Sequence, residues 1–368
     1  MTTVLCVTND FPPVIGGIQT YVYDYCTGLA DRGVQVHVLA STPRGVNELD
    51  SYADFDQRQP FTVHRYPRSI LLPTPGVSAE MERLIRALNV DVVWFGAAAP
   101  LGLMAPAARR AGVRKVIGST HGHEVGWLTV PGAGRIIERI GAACDTVTYI
   151  SEYTRQRLSR HVPAKTLVHL PGLAELPESS PSAPYSHAGT VWVTCVSRLV
   201  RRKGQDRLIR ALQGVEGVHL NIVGEGPDEA YLKRLAQKLG TSVTFWGRLD
   251  DAQVTDVLNS SDIFAMPART RWGGVDVEGL GIVYLRAQAC GLPVIAGDSG
   301  GAPETVTADS GIVVHSDSQL RSALELLIGD RQLRENMGRA GRVHVTEHWS
   351  PQRWLDRFYG LVSAQDSD

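Results

Sequence analysis

The chain has 368 residues, and its 37 Lys and Arg nearly balance its 38 Asp and Glu. Because 43% of its positions are apolar, a chain of this length can bury a large core, which excludes intrinsic disorder and a small disulfide-stapled fold. The formal net charge of -1 gives no global electrostatic reason to bind nucleic acid, so no nucleic-acid partner is expected.

The cysteines and the lack of long apolar runs indicate the cellular compartment in which the protein works. The five cysteines are odd in number, widely spaced and mostly set in apolar runs, as is typical of buried thiols in a reducing compartment. No signal-peptide pattern opens the chain, and no apolar run reaches the roughly 18 residues that span a bilayer. We therefore expect a cytoplasmic protein, which leaves contact with a membrane surface open.

Short β-rich runs alternate with helical patterns in the first half of the chain. Strands are predicted over residues 4–8, 34–40, 90–95, 115–119, 146–150 and 167–170, and helices over 18–30, 79–88, 101–111 and 152–160. This alternation predicts a parallel sheet with helices on both faces.

A proline-rich stretch without periodicity, residues 171–190, has the composition of an inter-domain linker. A second series then predicts strands over 191–196, 218–223, 243–246, 263–266 and 293–296, and helices over 206–212, 229–239, 253–259 and 279–290. The predicted domains are an N-terminal domain over 1–170, a C-terminal domain over 191–348, and an aromatic, amphipathic helix and tail over 349–368. Doubly wound domains of this α/β class bind ligands at the carboxyl ends of their strands.

Two glycines, Gly16 and Gly17, stand between the first strand and the helix that begins near residue 18. Residues without Cβ before exposed helix N–H groups can hold an anion, although a glycine pair also serves a tight turn. Asp10, just after the strand, is either a substrate ligand or a turn acid.

His121 and His123 follow the strand over 115–119, with Glu124 beside them. Alternate positions after a strand point apart, and no further cluster completes a ligand set, so no metal is expected. His121 is predicted to contact a polyhydroxylated ligand, with an ordinary loop histidine as the alternative.

Two motifs of the second half combine charge with strand ends and helix starts. Four cations between residues 198 and 203 follow the strand over 191–196, where a diphosphate fits unless the segment is only a solvated loop. Glu278 precedes Gly-Leu-Gly and a nearly all-apolar helix, so helix N–H groups lie beside an acid that can bond sugar hydroxyls. The alternative role of Glu278 is that of a simple N-cap.

The segment 65–75 mixes cations, an aromatic residue and aliphatic residues in a proline-rich stretch that is predicted to be a loop. Arg65, Tyr66 and Arg68 are its candidate ligand contacts, and such a loop can lie on anionic lipid. The alternative is an ordinary loop with its aliphatic side chains folded inward. Four later cations are expected to add to the same patch: Arg109, Arg110, Arg114 and Lys115.

Six motifs in the same order over both predicted domains point to a family. They are N-D-F-P-P-x-x-G-G-I-Q, W-F-G-A-A-A-P-L, S-T-H-G-H-E-V-G-W, S-R-L-V-x-R-K-G-Q-D, F-A-M-P-A-R-T-R and V-E-G-L-G-I-V-Y-L. Together they resemble the GT-B-fold retaining glycosyltransferases of family 4, and within it the actinobacterial phosphatidylinositol mannoside mannosyltransferases that use GDP-mannose. The resemblance implies two Rossmann-like domains that face a central cleft, with a C-terminal cross-over helix.

The resemblance also implies a role for each motif. Donor contacts are assigned to Gly16, Gly17, Arg198, Lys203, Glu278, Gly279, Leu280, Gly281, Ile282 and Arg286. The catalytic residues, which orient the sugar and stabilise the leaving diphosphate, are His121, Glu278, Arg198 and Lys203. Acceptor contacts are assigned to Asp10, Arg65, Tyr66 and Arg68.

The chemistry that the family implies needs neither a metal nor a protein nucleophile. Arg and Lys stabilise the leaving diphosphate, which takes the proton of the acceptor hydroxyl on the same face of the sugar. The implied activity is transfer of mannose from GDP-mannose to an anionic inositol phospholipid. The enzyme is then expected to be peripheral to the inner face of the plasma membrane.

Position 286 departs from the family pattern E-x7-E, because Arg286 stands where a second Glu accepts hydrogen bonds from the ribose. Arg286 pairs with an acid such as Glu278 or Glu304, binds an extra anionic group of an unusual donor, or is a tolerated substitution. Two other functions stay open. One is transfer from another donor, such as UDP-N-acetylglucosamine, or to a soluble cyclitol. The other is a catalytically impaired homologue that binds nucleotide or lipid.

Overall fold

In a computed structural model, the described residues are 1–42, 49–128, 130, 132–163, 166–174 and 189–363. They form two compact units. The first contains Met1–Leu173 together with Gln352–Asp368, and the second contains Ala174–Pro351. The division falls inside the predicted linker 171–190, of which residues 175–188 lie outside the described part of the chain.

A seven-stranded parallel sheet forms the centre of the first unit. Two of its central strands, at residues 3–8 and 92–95, are buried at every position because helices cover both faces of such a sheet. This two-sided burial explains why apolar runs locate these strands in the sequence. In spatial order the strands are β3 (Thr62–Tyr66), β2 (Gln35–Ser41), β1 (Thr3–Thr8), β4 (Val92–Phe95), β5 (Lys115–Ser119), β6 (Thr146–Tyr149) and β7 (Leu167–His169).

Eight helices among the described residues connect these strands. They are α1 (Gly17–Ala30), α2 (Leu49–Gln57), α3 (Pro75–Leu88), α4 (Ala98–Leu101), α5 (Ala105–Arg110), α6 (His123–Trp127), α7 (Ala133–Ala143) and α8 (Glu152–Leu158). The sequence prediction lacks α2, β3, α6 and α7, and its single helix over 101–111 is interrupted by a 3-10 turn at Gly102–Met104. Ser151, directly before the helix predicted over 152–160, caps α8, since its side chain accepts a hydrogen bond from the N–H of Thr154.

A six-stranded parallel sheet forms the centre of the second unit. In spatial order its strands are β10 (Val243–Gly247), β9 (Val218–Val223), β8 (Val191–Val196), β11 (Ile263–Met266), β12 (Val294–Gly297) and β13 (Gly311–Val314). Its helices are α9 (Gln205–Ala211), α10 (Glu229–Leu239), α11 (Asp251–Asn259), α12 (Ile282–Ala289), α13 (Asp317–Gly329) and α14 (Arg331–His348). The sequence prediction lacks β13, α13 and α14. Two doubly wound α/β units confirm the predicted fold class.

The last helix, α15 (Pro351–Ser363), belongs from Gln352 onward to the first unit. Its Phe358 is fully buried, with its ring 4.8 Å from that of Trp94 and 5.1 Å from that of Tyr25. Gly28 on α1 permits the close approach, because a Cβ there would lie 2.1 Å from Leu355 Cδ2. The aromatic residues noted in the sequence are therefore the core-facing side of this helix.

Candidate active site

In the second unit, the strand order places a ligand site at the neighbouring ends of β8 and β11. From β8 the chain winds outward through β9 and β10, whereas from β11 it winds the other way through β12 and β13. The loops that leave two such strands diverge and open a crevice for a ligand. The basic segment 198–203 follows β8 and Glu278 follows β11, so the topology brings both sequence motifs to this point.

The backbone of the basic segment is fixed by the two residues that follow it. Gly204 has a φ of +80°, and a Cβ there would lie 2.3 Å from the carbonyl oxygen of Pro267, so glycine is required. Gln205 Nε2 donates to Ser197 Oγ at 2.8 Å and to the carbonyl oxygen of Arg198 at 3.1 Å. The cations therefore project from a rigid loop beside the segment that follows β11.

Glu278 forms a buried ion cluster with two of these cations. Arg202 Nη1 and Lys203 Nζ donate to Glu278 Oε2 at 2.8 Å and 2.7 Å, and Glu278 is only 6% exposed. Burial by itself would raise the pKa of Glu278, but the charges of Lys203 and Arg202 outweigh it and lower the pKa below its usual value. The carboxylate therefore stays ionised at neutral pH and can accept hydrogen bonds from a ligand.

The other two cations of the segment differ in how they are used. The guanidinium of Arg201 faces Asp228 at 3.4 Å and stacks on the ring of Tyr231 at 3.6 Å. The side chain of Arg198 is exposed and forms no ion pair within the part of the chain that the structure describes. Arg198 is thus the cation of this segment that remains available to a phosphate.

The start of α12 lies next to Glu278, but Glu278 does not cap it. Gly281, with a φ of +83°, is the N-cap residue, and it has no side chain that could bond the first N–H groups of the helix. The backbone of Glu278 is held separately, since its N–H donates to Ser299 Oγ at 3.2 Å and its carbonyl oxygen accepts from the N–H of Gly301 at 3.0 Å. The N-cap alternative for Glu278 is wrong, and the segment 279–282 presents backbone donors at this edge.

Arg286 on α12 has partners that the sequence argument does not name. Arg286 Nη1 donates to Asp251 Oδ1 at 2.7 Å, and Nη2 donates to Thr255 Oγ1 at 2.9 Å and to the carbonyl oxygen of Asp251. Both acceptors lie in the first turns of α11, directly after the loop that leaves β10. The guanidinium therefore links α12 to the start of α11, and Asp251 keeps most of its side chain, 77%, exposed to solvent.

In the first unit, His121 lies at the carboxyl end of β5. Its Nε2 donates to the carbonyl oxygen of Gly96 at 2.5 Å, so the proton sits on Nε2, and its ring meets that of Tyr21 edge-on at 4.7 Å. The buried carboxylate of Glu124 accepts from the backbone N–H of His121 at 3.0 Å. No group of three metal-ligating side chains occurs among the described residues, which do not include the side chain of His123.

Gly16 is the N-cap residue of α1 and Gly17 is its first residue, and neither has a backbone conformation that needs glycine. Gly16 has an extended φ of 171°, and neither residue lies in the left-handed region, so no left-handed turn requires this glycine pair. A Cβ at Gly17 would meet no atom within 4 Å. The space in front of Gly17 is open, as close approach of a ligand requires. Asp10 lies beside this turn, and its Oδ1 accepts from Gln19 Nε2 at 2.9 Å.

Arg65 is not part of a loop, because β3 extends through residue 66. Its guanidinium binds Asp56 through two hydrogen bonds of 2.7 Å and 2.9 Å and donates to the carbonyl oxygen of Pro12 at 2.6 Å. It also stacks on the ring of Tyr52 at 4.7 Å, and its side chain is 14% exposed. Arg65 therefore links three segments of the first unit, and the expectation that it lies on a lipid-facing loop is wrong. Tyr66 ends the strand and packs against the core.

The segment after β3 is divided between the core and the surface. Leu71 is fully buried, whereas Ile70 and Leu72 are 57% and 49% exposed, and Arg68 is also exposed. Asn9 holds the turn by exchanging two hydrogen bonds with the backbone of Leu71. Leu71 is thus folded inward, as the ordinary-loop alternative expects, whereas Ile70 and Leu72 are exposed on the other side of the turn. None of the described helices is long and apolar enough to cross a bilayer.

The cations between residues 109 and 115 lie at the end of this sheet where the strands begin, opposite the end that leads to the segment after β3. Lys115 is the first residue of β5, and α5 ends at Arg110, so both precede the strand whose far end leads to His121. Because all strands of the sheet are parallel, this edge faces away from the segment after β3. The expected common patch with Arg68 is therefore wrong. Arg109 instead pairs with Asp145.

Comparison with protein families and curated proteins identifies the chain. The profile described as "Glycosyl transferases group 1" matches residues 186–344, and "Glycosyltransferase Family 4" matches residues 15–172. The chain is 45% identical to the GDP-mannose-dependent monoacylated alpha-(1-6)-phosphatidylinositol monomannoside mannosyltransferase of Corynebacterium glutamicum, covering 98% of each chain. It is 44% identical to the GDP-mannose-dependent alpha-(1-6)-phosphatidylinositol monomannoside mannosyltransferase of Mycobacterium tuberculosis, covering 96% of this chain and 95% of the relative.

The chain belongs to glycosyltransferase family 4.

Solved structures whose sequences are much less similar to this chain have the same fold. The Anabaena protein Alr3699/HepE in complex with UDP has a TM-score of 0.80 at 19% identity, covering 99% of this chain and all of that one. WaaG, a glycosyltransferase involved in lipopolysaccharide biosynthesis, has a TM-score of 0.70 at 18% identity, covering 99% of this chain and 100% of that one. Both support the GT-B architecture that the six motifs imply.

Some residues of this family 4 site escape sequence reasoning. Arg202 enters the sequence analysis only as one of four cations between residues 198 and 203, and its bond to Glu278 depends on a contact between segments 76 residues apart. Asp251 is exposed, lies in an ordinary helix start and carries no motif. Of the segment 270–276, only Thr270 and Arg271 fall in a quoted motif, and the exposed Trp272 lies in none. In each case the missing information is which partner the fold supplies.

We expect the substitution Arg65→Ala to destabilise this family 4 enzyme without a direct effect on ligand binding. Removal of the guanidinium leaves the mostly buried Asp56 without its bidentate partner, which costs about 2 kcal/mol in the free energy of unfolding. Thermal unfolding measures this as a melting temperature lower by several degrees. The exposed Arg68→Ala is the control and should melt like the wild type. Loss of turnover at an unchanged melting temperature would instead make Arg65 a ligand contact.

Proposed function

We propose that the protein transfers mannose from GDP-mannose to the inositol mannoside headgroup of an anionic phospholipid. The proposal is supported by relatives that match nearly the whole chain and are named as GDP-mannose-dependent phosphatidylinositol monomannoside mannosyltransferases. The observation that carries it here is the buried, ionised Glu278 beside Arg202 and Lys203 at the carboxyl edge of the second unit. Within one cluster, such a site offers a hydrogen-bond acceptor to sugar hydroxyls and positive charge to phosphate.

Donor binding follows from this cluster. Hydroxyl groups of the mannose donate to the Glu278 carboxylate, whose lowered pKa keeps it ionised. The diphosphate lies against Arg198, Lys203 and the backbone N–H groups of the segment 279–282. Arg198 contributes most of the stabilisation of the diphosphate's negative charge, because Lys203 is already bound to Glu278. Gly17 remains a proposed contact of the diphosphate on the first unit.

The proposed reaction exchanges one bond at the anomeric carbon for another on the same face. The bond between C1 of mannose and the phosphate oxygen breaks, and a bond between C1 and the acceptor oxygen forms. The acceptor proton passes to the phosphate oxygen that leaves. Arg198 and Lys203 stabilise the negative charge that develops there, so the reaction as proposed needs no metal and no protein nucleophile. His121 orients the sugar.

Acceptor binding is proposed for the carboxyl edge of the first unit. Asp10 and Arg68 offer a carboxylate to headgroup hydroxyls and a guanidinium to phosphate. The exposed Ile70 and Leu72 beside Arg68 combine apolar side chains with a cation, a surface that suits the interface of an anionic bilayer. We therefore propose a peripheral enzyme at the inner face of the plasma membrane.

The test is release of GDP from GDP-mannose with and without phosphatidylinositol monomannoside, with UDP-N-acetylglucosamine as a parallel donor. Release of GDP that depends on the acceptor supports the proposal. Turnover of the UDP-sugar alone would mean that the donor site has different specificity. If neither donor releases a nucleoside diphosphate, the protein is an impaired homologue, whose residual nucleotide binding can be measured by calorimetry.

A further inference from the structure

The carboxylate of Glu278 uses one of its two oxygens for contacts within the second unit. Its Oε2 accepts from Arg202 Nη1 at 2.8 Å and from Lys203 Nζ at 2.7 Å. Among the described residues, Oε1 accepts no hydrogen bond. Because both cations lie on Oε2, Oε1 is the oxygen that is left for a hydroxyl group of a sugar.

The two cations on Glu278 differ in how fully their donors are used. Within the described part of the chain, the ammonium group of Lys203 donates one of its three N–H groups, to Glu278. The guanidinium of Arg202 lies between two carboxylates, since its Nη1 donates to Glu278 and its Nε forms an ion pair with Asp276 Oδ1 at 2.8 Å. Lys203 can therefore also contact a phosphate, whereas the charge of Arg202 is already shared between two acids.

Asp276 holds Arg202 from the side opposite Glu278. It is itself fixed by Arg271, whose N–H donates to the carbonyl oxygen of Asp276 at 2.9 Å and whose Nη1 lies 3.6 Å from Asp276 Oδ2. The carbonyl oxygen of Arg202 accepts from the N–H of Arg269 at 2.8 Å. Both the backbone and the guanidinium of Arg202 are thus attached to the segment 269–276, which leads directly to Glu278.

This arrangement restricts how the Glu278 carboxylate can turn. A single ammonium group is a point charge that either carboxylate oxygen can approach. A guanidinium is planar and donates in fixed directions, so a second anchor at Asp276 fixes the direction of its bond to Glu278 as well. Arg202 therefore sets which oxygen of Glu278 faces inward and which one is left for a ligand.

We propose that Arg202 and Asp276 are positioning residues, which hold Glu278 with Oε1 toward the transferred sugar and leave Lys203 with N–H donors for the diphosphate. This inference rests on the proposed function, because it takes Glu278 to bind hydroxyl groups of the mannose. Neither Arg202 nor Asp276 touches the substrate, and every contact that carries the inference lies within the second unit.

Arg202 also contributes to the charge state of Glu278. The titratable groups that face this carboxylate are Lys203 and Arg202, with Asp276 behind Arg202, and Tyr284 of α12. Burial and the charge of Glu278 raise the pKa of Tyr284, so this phenol stays neutral. Burial raises the pKa of Glu278, but the charges of Lys203 and Arg202 lower it below its usual value. Loss of one cation therefore raises that pKa, and protonation of Glu278 begins at higher pH.

The experiment compares Arg202→Lys, Arg202→Gln and Asp276→Asn with the wild type in full-length protein. For each variant, kcat/KM for GDP-mannose is measured against pH with phosphatidylinositol monomannoside as acceptor, together with the inhibition constant of GDP and the melting temperature. GDP contains the diphosphate but no sugar, so its inhibition constant reports binding that does not involve the mannose. Arg271→Ala is the matched control, because it removes a neighbouring guanidinium that contacts Asp276 but makes no ion pair with Glu278.

The two substitutions of Arg202 separate direction from charge. Arg202→Lys keeps the charge but cannot hold both carboxylates in one plane, so kcat/KM should fall roughly tenfold with an unchanged inhibition constant for GDP and an unchanged acid limb. Arg202→Gln should lose at least as much and also move the acid limb to higher pH. Asp276→Asn should lower kcat/KM several-fold without moving the acid limb upward. Arg271→Ala should stay within a few-fold of the wild type.

Three results would overturn the inference while leaving the proposed function intact. An inhibition constant for GDP that rises as much as kcat/KM falls would make Arg202 a diphosphate ligand. An unchanged kcat/KM in both Arg202 variants would remove it from sugar recognition. A lower melting temperature with an unmoved acid limb in Arg202→Gln would make its role purely structural. If the wild type transfers no mannose from GDP-mannose, the proposed function fails, and the inference fails with it.

Discussion

Replacement of Arg198 by alanine should lower kcat/KM for GDP-mannose about a hundredfold and leave the melting temperature unchanged. The side chain is exposed and forms no ion pair among the described residues, so its removal leaves no buried charge without a partner. In the proposed reaction, however, it faces the phosphate oxygen that gains charge as the bond to C1 breaks. Steady-state kinetics together with thermal unfolding measure the two effects on the same preparation.

The neighbouring Arg201 provides a matched control. It has the same charge and lies in the same segment, but its guanidinium is bound to Asp228 and stacked on Tyr231. Arg201→Ala should therefore keep kcat/KM within a few-fold of the wild type. Equal losses in both variants would show that only the general positive potential of the segment matters. An unchanged Arg198→Ala would remove Arg198 from the donor site.

Lys203 is unsuited to this comparison, although the sequence gives it the same role. Its ammonium group is one of two cations that neutralise the buried Glu278, so Lys203→Ala leaves that carboxylate with Arg202 alone. Loss of activity in that variant would combine weaker charge stabilisation with a disturbed acid. The structure therefore separates two cations that the sequence presents as equivalent.

The fold could be predicted in large part because its strands lie in parallel sheets. A strand covered on both faces is a continuous apolar run, as in β1 and β11, and such runs stand out in the sequence. The helix α14 was missed because it is mostly polar along its length and has few buried residues. β3 was missed because it lies at the sheet edge, where partly exposed residues such as Arg65 replace the apolar run.

The candidate site could be located, but its internal contacts could not be predicted. Placement of Glu278 and the basic segment needed only the rule that the carboxyl ends of parallel strands share one edge. The assignment of Arg65 to a lipid surface failed because its partner, Asp56, comes from α2, which has no strong pattern. Pair contacts between distant segments depend on packing, and a single sequence does not record them.

The double variant Arg286→Glu with Asp251→Asn should bind GDP about tenfold more tightly than the wild type. The family pattern has a glutamate at position 286 that accepts hydrogen bonds from the ribose, and a guanidinium cannot accept them. Restoring a carboxylate on α12 recovers that interaction. The asparagine is needed because Arg286 is bound to Asp251 at 2.7 Å, so a glutamate at 286 alone would face a second carboxylate. Isothermal titration calorimetry with GDP gives the dissociation constants directly.

Asp251→Asn alone serves as the control for this gain. It removes the charge of an exposed partner while Arg286 keeps its hydrogen bonds to Thr255 and to the carbonyl oxygen of residue 251, so it should leave the affinity for GDP nearly unchanged. If the double variant gains nothing over this control, position 286 does not meet the ribose in this enzyme. Its contacts with α11 would then be structural, linking α12 to α11. A gain in the double variant would mean that this chain retains a nucleotide site of the family type, with one ribose contact exchanged for a contact between two helices.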